Sequence, residues 1–382
     1  MNNQELFDIS IEEFDGMNET HIFSEQYKRT KKEMLKNYKK SLFVPARMSY
    51  MKIAAVFAVI LVSGPIIANA ATNGEFFARI WGNHGRNDVA SHDEVVYDEE
   101  KGVSFTVTYP ERDYEEVDIE KAEELIGAQV SYPSITKEID GTTMTILSAV
   151  KDKNAAVVEF TLEKEGGVDA LNYSQLDNEA KGAWFSDEAT FLFRFGDGGE
   201  NIFVDLDKST KDKLYCYDYM TLQSVSSDIS MELYEYPCTQ KERTEADERK
   251  LAEIEAATKE TTINIPIKNE VASIKMKNAD GGVVQISPLS IKIDMNTGLG
   301  LTAEEAYDPF NCYLVSVNYK DGTNYVVSEH EKPGKHTCDV EIDNSSYACG
   351  SLEREATYVF NRLVDIDQVA SVTVNDVEYS IK

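Results

Sequence analysis

Residues 141–162 read GTTMTILSAVKDKNAAVVEFTL. The runs 142–150 and 155–162 are of strand length and rich in β-branched and apolar residues, and together they read as strand, turn, strand. Asp140-Gly141 just ahead is a turn signal, because both residue types accept a positive φ. The same grammar repeats toward the C-terminus. Strand-like runs at 190–195, 201–206, 230–236 and 261–267 are separated by Gly166-Gly167 and Gly196-Asp197-Gly198-Gly199. The second of these is expected to be a hairpin turn, since no helix follows it to cradle a phosphate. One helical insertion interrupts, at 239–259, with Leu251, Ile254 and Ala257 as its narrow apolar edge.

A second β block follows, with strands expected at 273–277, 283–286, 289–295, 312–319, 324–328, 338–342, 356–361 and 371–381. Asp280-Gly281-Gly282, Asp321-Gly322 and Pro333-Gly334 supply the turns. The spacing suits antiparallel sheets, and the expected fold class is mainly β. Two antiparallel, Ig-like β-sandwich domains are assigned to 102–270 and 271–382.

Working toward the N-terminus, 102–110 alternates like a strand, and 118–126 reads as a short helix with Asp118 as its cap. In the juxtamembrane segment 72–101, Phe77, Ile80 and Trp81 share one helical side and are expected at a membrane interface. His84 and His92 fall in a loop at a spacing that suits no metal.

The term juxtamembrane follows from residues 53–71, IAAVFAVILVSGPIIANAA, which carry no charge. Nineteen helical residues cover about 30 Å, enough to span the hydrocarbon of a bilayer. Nine basic residues lie between Tyr27 and Lys52 against the single acid Glu33, whereas residues 72–91 hold only Glu75, Arg79, Arg86 and Asp88. Basic flanks stay inside, so the expected orientation is N-terminus cytoplasmic and C-terminus extracellular. The competing reading is a signal peptide cleaved after Ala70, but the roughly fifty hydrophilic residues before the apolar run exceed an n-region.

Residues 1–50 form the expected cytosolic tail. Phe7, Ile11 and Phe14 fit a helix, while Phe7, Ile9 and Ile11 fit a strand equally well, and six acids in the first twenty residues preclude a core of their own. From Ser24 a basic amphipathic helix is expected to about Ser41, with Phe23, Tyr27, Met34, Tyr38 and Leu42 on one face. That face suits either the inner leaflet or a groove in a cytosolic protein.

Of 382 residues, 38 are basic and 68 acidic, giving a net charge of −30. Nine basic and eight acidic groups precede residue 72, which leaves 29 and 60 beyond it. An acidic exterior of this kind repels nucleic acid and anionic lipid. The five cysteines, Cys216, Cys238, Cys312, Cys338 and Cys349, all lie beyond the span, and Cys338 with Cys349 is the favoured local disulfide. The sequence contains no nucleophile elbow, P-loop, HExxH or serial CxxC pattern, so neither an enzyme nor a cofactor is expected. Asp205-Leu206-Asp207 opens like a calcium loop, yet Thr210 stands where that loop needs glycine and Cys216 where it needs an acid.

The arrangement resembles single-pass membrane proteins of Gram-positive bacteria built on domain of unknown function 4179, often followed by a second C-terminal domain of unknown function. The carrying residues are His21-Ile22-Phe23-Ser24-Glu25-Gln26-Tyr27, the end of the apolar run into TNGEFFARIWG, the strand-turn-strand 141–162, and Gln285-Ile286-Ser287-Pro288-Leu289-Ser290. The resemblance implies an anti-sigma-factor-like role in signal transduction and transcription regulation. A cytosolic tail would hold an extracytoplasmic-function sigma factor through Phe7, Ile11, Phe14, Phe23, Tyr27, Met34 and Tyr38, and an ectodomain would sense an extracellular ligand or envelope component. Many such proteins carry a zinc-binding His-Cys domain inside, whereas this tail has His21 and no cysteine. The alternative expectation is an anchored cell-envelope binding or structural protein with no transcriptional role.

Overall fold

The computed structural model describes residues 77, 81, 92–98, 103–109, 117–173, 183–223, 226–307, 311–330, 340–344, 346–352 and 354–381. Antiparallel sheet dominates them, as the turn grammar leads one to expect. Two hairpin strands come first, β1 (His92–Asp98) and β2 (Val103–Tyr109). Helix α1 (Ile119–Ile126) starts at Asp118, whose carboxylate accepts the Lys121 amide at 3.0 Å, and it buries Ala122 and Ile126.

The strand-turn-strand opens the first block. β3 (Ile135–Ile139) pairs with β4 (Thr142–Lys151) through the two-residue turn Asp140-Gly141, at φ 47° and 72°. Both signs are positive, as a type I′ hairpin requires. β5 (Ala155–Glu163) pairs with β4, and the register slips between Ile146 and Ser148. This one-residue bulge exchanges the faces of β4, so that Met144, Ile146 and Ala149 all reach the same core.

After the short pair β6 (Leu171–Asn172) and β7 (Trp184–Phe185) come β8 (Phe191–Phe195), β9 (Glu200–Val204), β10 (Lys213–Thr221) and β11 (Ile229–Glu235). Helices α2 (Gln240–Thr244) and α3 (Glu248–Ala257) precede β12 (Lys259–Ile265). A five-stranded sheet, in order β3-β4-β5-β10-β9, faces a three-stranded sheet, β12-β11-β8. Between them lies a core rich in phenylalanine, where Phe160 meets Phe193 edge-on at 5.3 Å and Phe195 at 5.4 Å.

Three expectations for this block change. Gly196–Gly199 is no hairpin, because β8 and β9 belong to different sheets and the glycines turn the corner between them. The helical insertion is broken: Thr239 and Glu242 form a capping box on α2, and Asp247 then caps a new helix by accepting the Lys250 amide at 2.8 Å. Of its expected apolar edge only Ile254 is buried. β10 is a further strand, its Tyr215, Tyr217 and Tyr219 alternating with smaller residues.

The second block contains β13 (Ile274–Lys277), β14 (Val283–Ile286), β15 (Ser290–Asp294), β16 (Leu314–Tyr319), β17 (Asn324–His330), β18 (Val340–Asn344), β19 (Ser346–Leu352), β20 (Glu355–Phe360), β21 (Val369–Val374) and β22 (Val377–Ser380). The run expected as one strand at 371–381 folds back on itself at Asn375, whose φ is 55°. A single sheet, β1-β2-β18-β17-β16-β21-β22-β13-β14-β15-β20-β19, wraps its own core, joined in the middle by the one pair Lys277 and Ser380. The β1–β2 hairpin thus extends the C-terminal block, with Val107 opposite Val340 in parallel.

Both blocks belong to one compact unit. Among the described residues no helix is long and apolar enough to cross a membrane, and residues 53–71 lie outside them. Replacing Phe160 by Ala is expected to lower stability by about 3–5 kcal/mol, read as a shift of the urea midpoint at unchanged slope.

Candidate functional site

β5 and β10 are buried on both faces. Their even positions, among them Val158, Phe160, Leu162, Leu214 and Met220, enter the core of the first block, while Ala155, Val157, Tyr217 and Tyr219 enter a third core on the far side. This third core is the junction. It combines α1 residues Ala122 and Ile126 with Val150 of β4, Phe203 of β9, Val271 of the linker, and Leu289, Ala348 and Val359 of the second block. Phe203 and Tyr219 meet edge-on at 5.5 Å within it.

Phe77 and Trp81, both helical, complete that core with 0% and 2% of their surface exposed. Their spacing of four puts them on one helical face. The expectation of a membrane-interface site for them is therefore corrected. Aromatic surface of this size gains more from a closed protein core than from a half-wet interface.

A polar lock lies along the edge of the junction. Asp152, in the β4–β5 turn, has no exposed surface. Its Oδ1 accepts the amides of Asn154 at 2.6 Å and Ala155 at 2.7 Å. Its Oδ2 accepts the hydroxyls of Ser287, in a short bond, and Ser290 at 2.6 Å. Burial holds Asp152 above the usual carboxylate range, against the pull of these four donors. The Ser287 Oγ in turn accepts the amides of Leu289 at 2.9 Å and Ser290 at 3.1 Å. The QISPLS stretch is thus wound around a carboxyl group supplied by the other block.

Neighbouring Lys151 holds the linker. With 1% of its side chain exposed, it donates to the Ser226 carbonyl at 2.6 Å and to Glu270 at 2.7 Å, and its own carbonyl accepts the Val271 amide. The Lys268 amide donates to Ser131 Oγ at 2.8 Å. A second seam needs glycine: a Cβ on Gly199 would lie 2.3 Å from the Cys349 carbonyl oxygen, and one on Gly350 would lie 2.2 Å from Thr221 Oγ1. Lys121 of α1 adds an ion pair to Asp365 at 3.0 Å.

A different carboxyl group lies inside the first block. Asp218 on β10 sits opposite Val158 and Ile202, fully buried, and neither of its oxygens has a hydrogen-bond partner among the described residues. Burial, and then the nearby Glu200, push it well above the usual carboxylate range. Glu200 is itself raised to about 7 by burial, although Arg194 and the Phe195 amide, at 3.2 Å, oppose the shift. The neighbouring Cys216 thiol is raised by burial, Asp218 and Asp205. No group of His, Cys, Asp and Glu among the described residues is arranged to hold a metal. Asp205 serves its own turn by accepting the Asp207 and Lys208 amides at 3.1 Å.

Phe7, Ile11, Phe14, Phe23, Tyr27, Met34, Tyr38 and Cys338 lie outside the described residues. Cys349, on β19 opposite Tyr358, is exposed and forms no disulfide among the described residues. The lock and the aromatic seat escaped the sequence reading. Their one visible signal was the QISPLS motif itself, since Asp152 lies 135 residues from Ser287.

No family model matches this chain, and no curated protein does. A solved structure described as the conserved domain protein from Bacillus anthracis is similar over 64% of this chain and 75% of its own, at 12% identity and a TM-score of 0.33.

Of the three raised carboxyl groups, Asp218 and Glu200 set a pH dependence within the first block. The unfolded chain releases their protons from its ordinary values of 3.8 and 4.5 upward, while the native state retains them longer. Stability therefore falls as pH rises, by at most about 1.4 kcal/mol per unit for each group. Asp218→Asn keeps the shape and removes one titration, so its loss between pH 5 and 7 is expected to be shallower than wild type by up to about 2.7 kcal/mol in urea melts. Parallel profiles would contradict the assignment.

Proposed function

We propose that the chain is a membrane-anchored, anti-sigma-factor-like regulator. In this reading residues 1–50 hold a cytosolic sigma factor, 53–71 cross the membrane, and the β-rich part reads a ligand or stress at the envelope. The supporting observation is the seat of Phe77 and Trp81. They are buried in the junction core, while the apolar run ends at residue 71. A chain leaving the bilayer there meets the buried Phe77 six residues further on. In this reading, movement of one block against the other is passed to a point six residues from the end of the apolar run.

Affinity purification of the full-length chain from membranes tests the reading. One sigma factor is expected to co-purify, and the paired change Tyr27→Asp with Met34→Asp is expected to abolish it by placing charge on the apolar contact face. Recovery unchanged by the variant refutes that contact face. A tail replaceable by any basic sequence with no transcriptional effect supports the anchored envelope protein instead.

A further inference from the structure

We infer that the Asp152–Ser287–Ser290 lock controls the seat of Phe77 and Trp81, so that opening one loosens the other. Val150 and Ala155 flank Asp152 in the chain, and Leu289 lies between the two serines that bind it; all three side chains line the core that holds Phe77 and Trp81. The Leu289 carbonyl accepts the Phe360 amide at 2.9 Å and the Pro288 carbonyl accepts the Val364 amide at 3.1 Å, so displacement of this stretch also moves the strand carrying Val359.

The lock has the character of a two-position element. Asp152 has no exposure, so it must keep its donors or gain water in their place. Water reaches Oδ2 when the second block, which supplies Ser287 and Ser290, swings away, and that movement withdraws Leu289, Ala348 and Val359 from the aromatic seat. Packed cores of this kind do not stretch gradually; they hold or they open. Linkage then requires reciprocity, with removal of the aromatic pair weakening the lock by the same factor. Its use as a signal-transmitting device rests on the regulator reading above, whereas the coupling itself is measured without transcription.

Backbone hydrogen exchange of the full-length chain in lipid vesicles provides the test. In Ser287→Ala with Ser290→Ala, exchange at 77–81 is expected to rise about tenfold or more, while β16 and β17 keep their protection. Phe77→Ala with Trp81→Ala is expected to raise exchange at 287–290 by a similar factor. Loosening of 287–290 in the serine variant with 77–81 at its wild-type rate overturns the inference. If the double serine variant also loses protection in β16 and β17, the single Ser290→Ala, which leaves Ser287 on Asp152, carries the same two outcomes at smaller amplitude. Loss of sigma-factor binding with the coupling intact would remove the regulatory reading alone.

Discussion

Asp152 keeps no contact with solvent, and it draws all four of its donors from two places far apart in the sequence. Two are amides of its own turn and two are hydroxyls of the second block. These bonds bring the β4–β5 turn against the QISPLS stretch and fix where the two blocks can meet. The linker is held by the same corner, through Lys151, Glu270 and Val271, and so behaves as part of the structure.

The double burial of the five-stranded sheet follows from that meeting. A sheet with one solvated face shows apolar residues at alternate positions, whereas β5 is buried at eight consecutive positions, from Ala155 to Leu162. Its two faces serve different purposes. The phenylalanine-rich side holds the first block together, and the tyrosine-rich side receives α1, the second block and the pair Phe77 and Trp81. Gly199, just ahead of β9, and Gly350 of β19 permit a closer approach to the Cys349 carbonyl and to Thr221 of β10 than a side chain would allow.

Asp218 represents the opposite solution to the same problem. It is buried like Asp152 but meets no donor among the described residues, and the free energy is lowered by keeping its proton. An apolar residue would pack the same space at less cost. A carboxyl group whose titration is raised by burial in the phenylalanine-rich core makes the first block sensitive to rising pH, while the lock at the junction meets its own buried carboxyl group with four hydrogen bonds.

Local patterns were legible in the sequence. Asp140-Gly141 specified its hairpin because only residues tolerant of positive φ fit there, and Asp118 specified the start of α1 because its side chain reaches an otherwise unpaired amide. The predominance of antiparallel strands followed from repeated turn signals at strand-length intervals. Strand alternation alone left 371–381 undivided, and helix propensity alone left 239–259 unbroken, since a single Asn or Asp redirected the backbone in each case.

Partnership between distant residues belonged to the tertiary structure. Nothing near Asp152 in the chain announces Ser287, nothing near Trp81 distinguishes a protein core from a lipid interface, and the even positions of β10 place Asp218 inward whatever its charge. The physical reason is the range of the forces concerned. Turn chemistry and helix caps act within about four residues, and the sequence by itself determined those elements. Burial depends on which surfaces meet once the chain has closed on itself, and only the folded arrangement decided that.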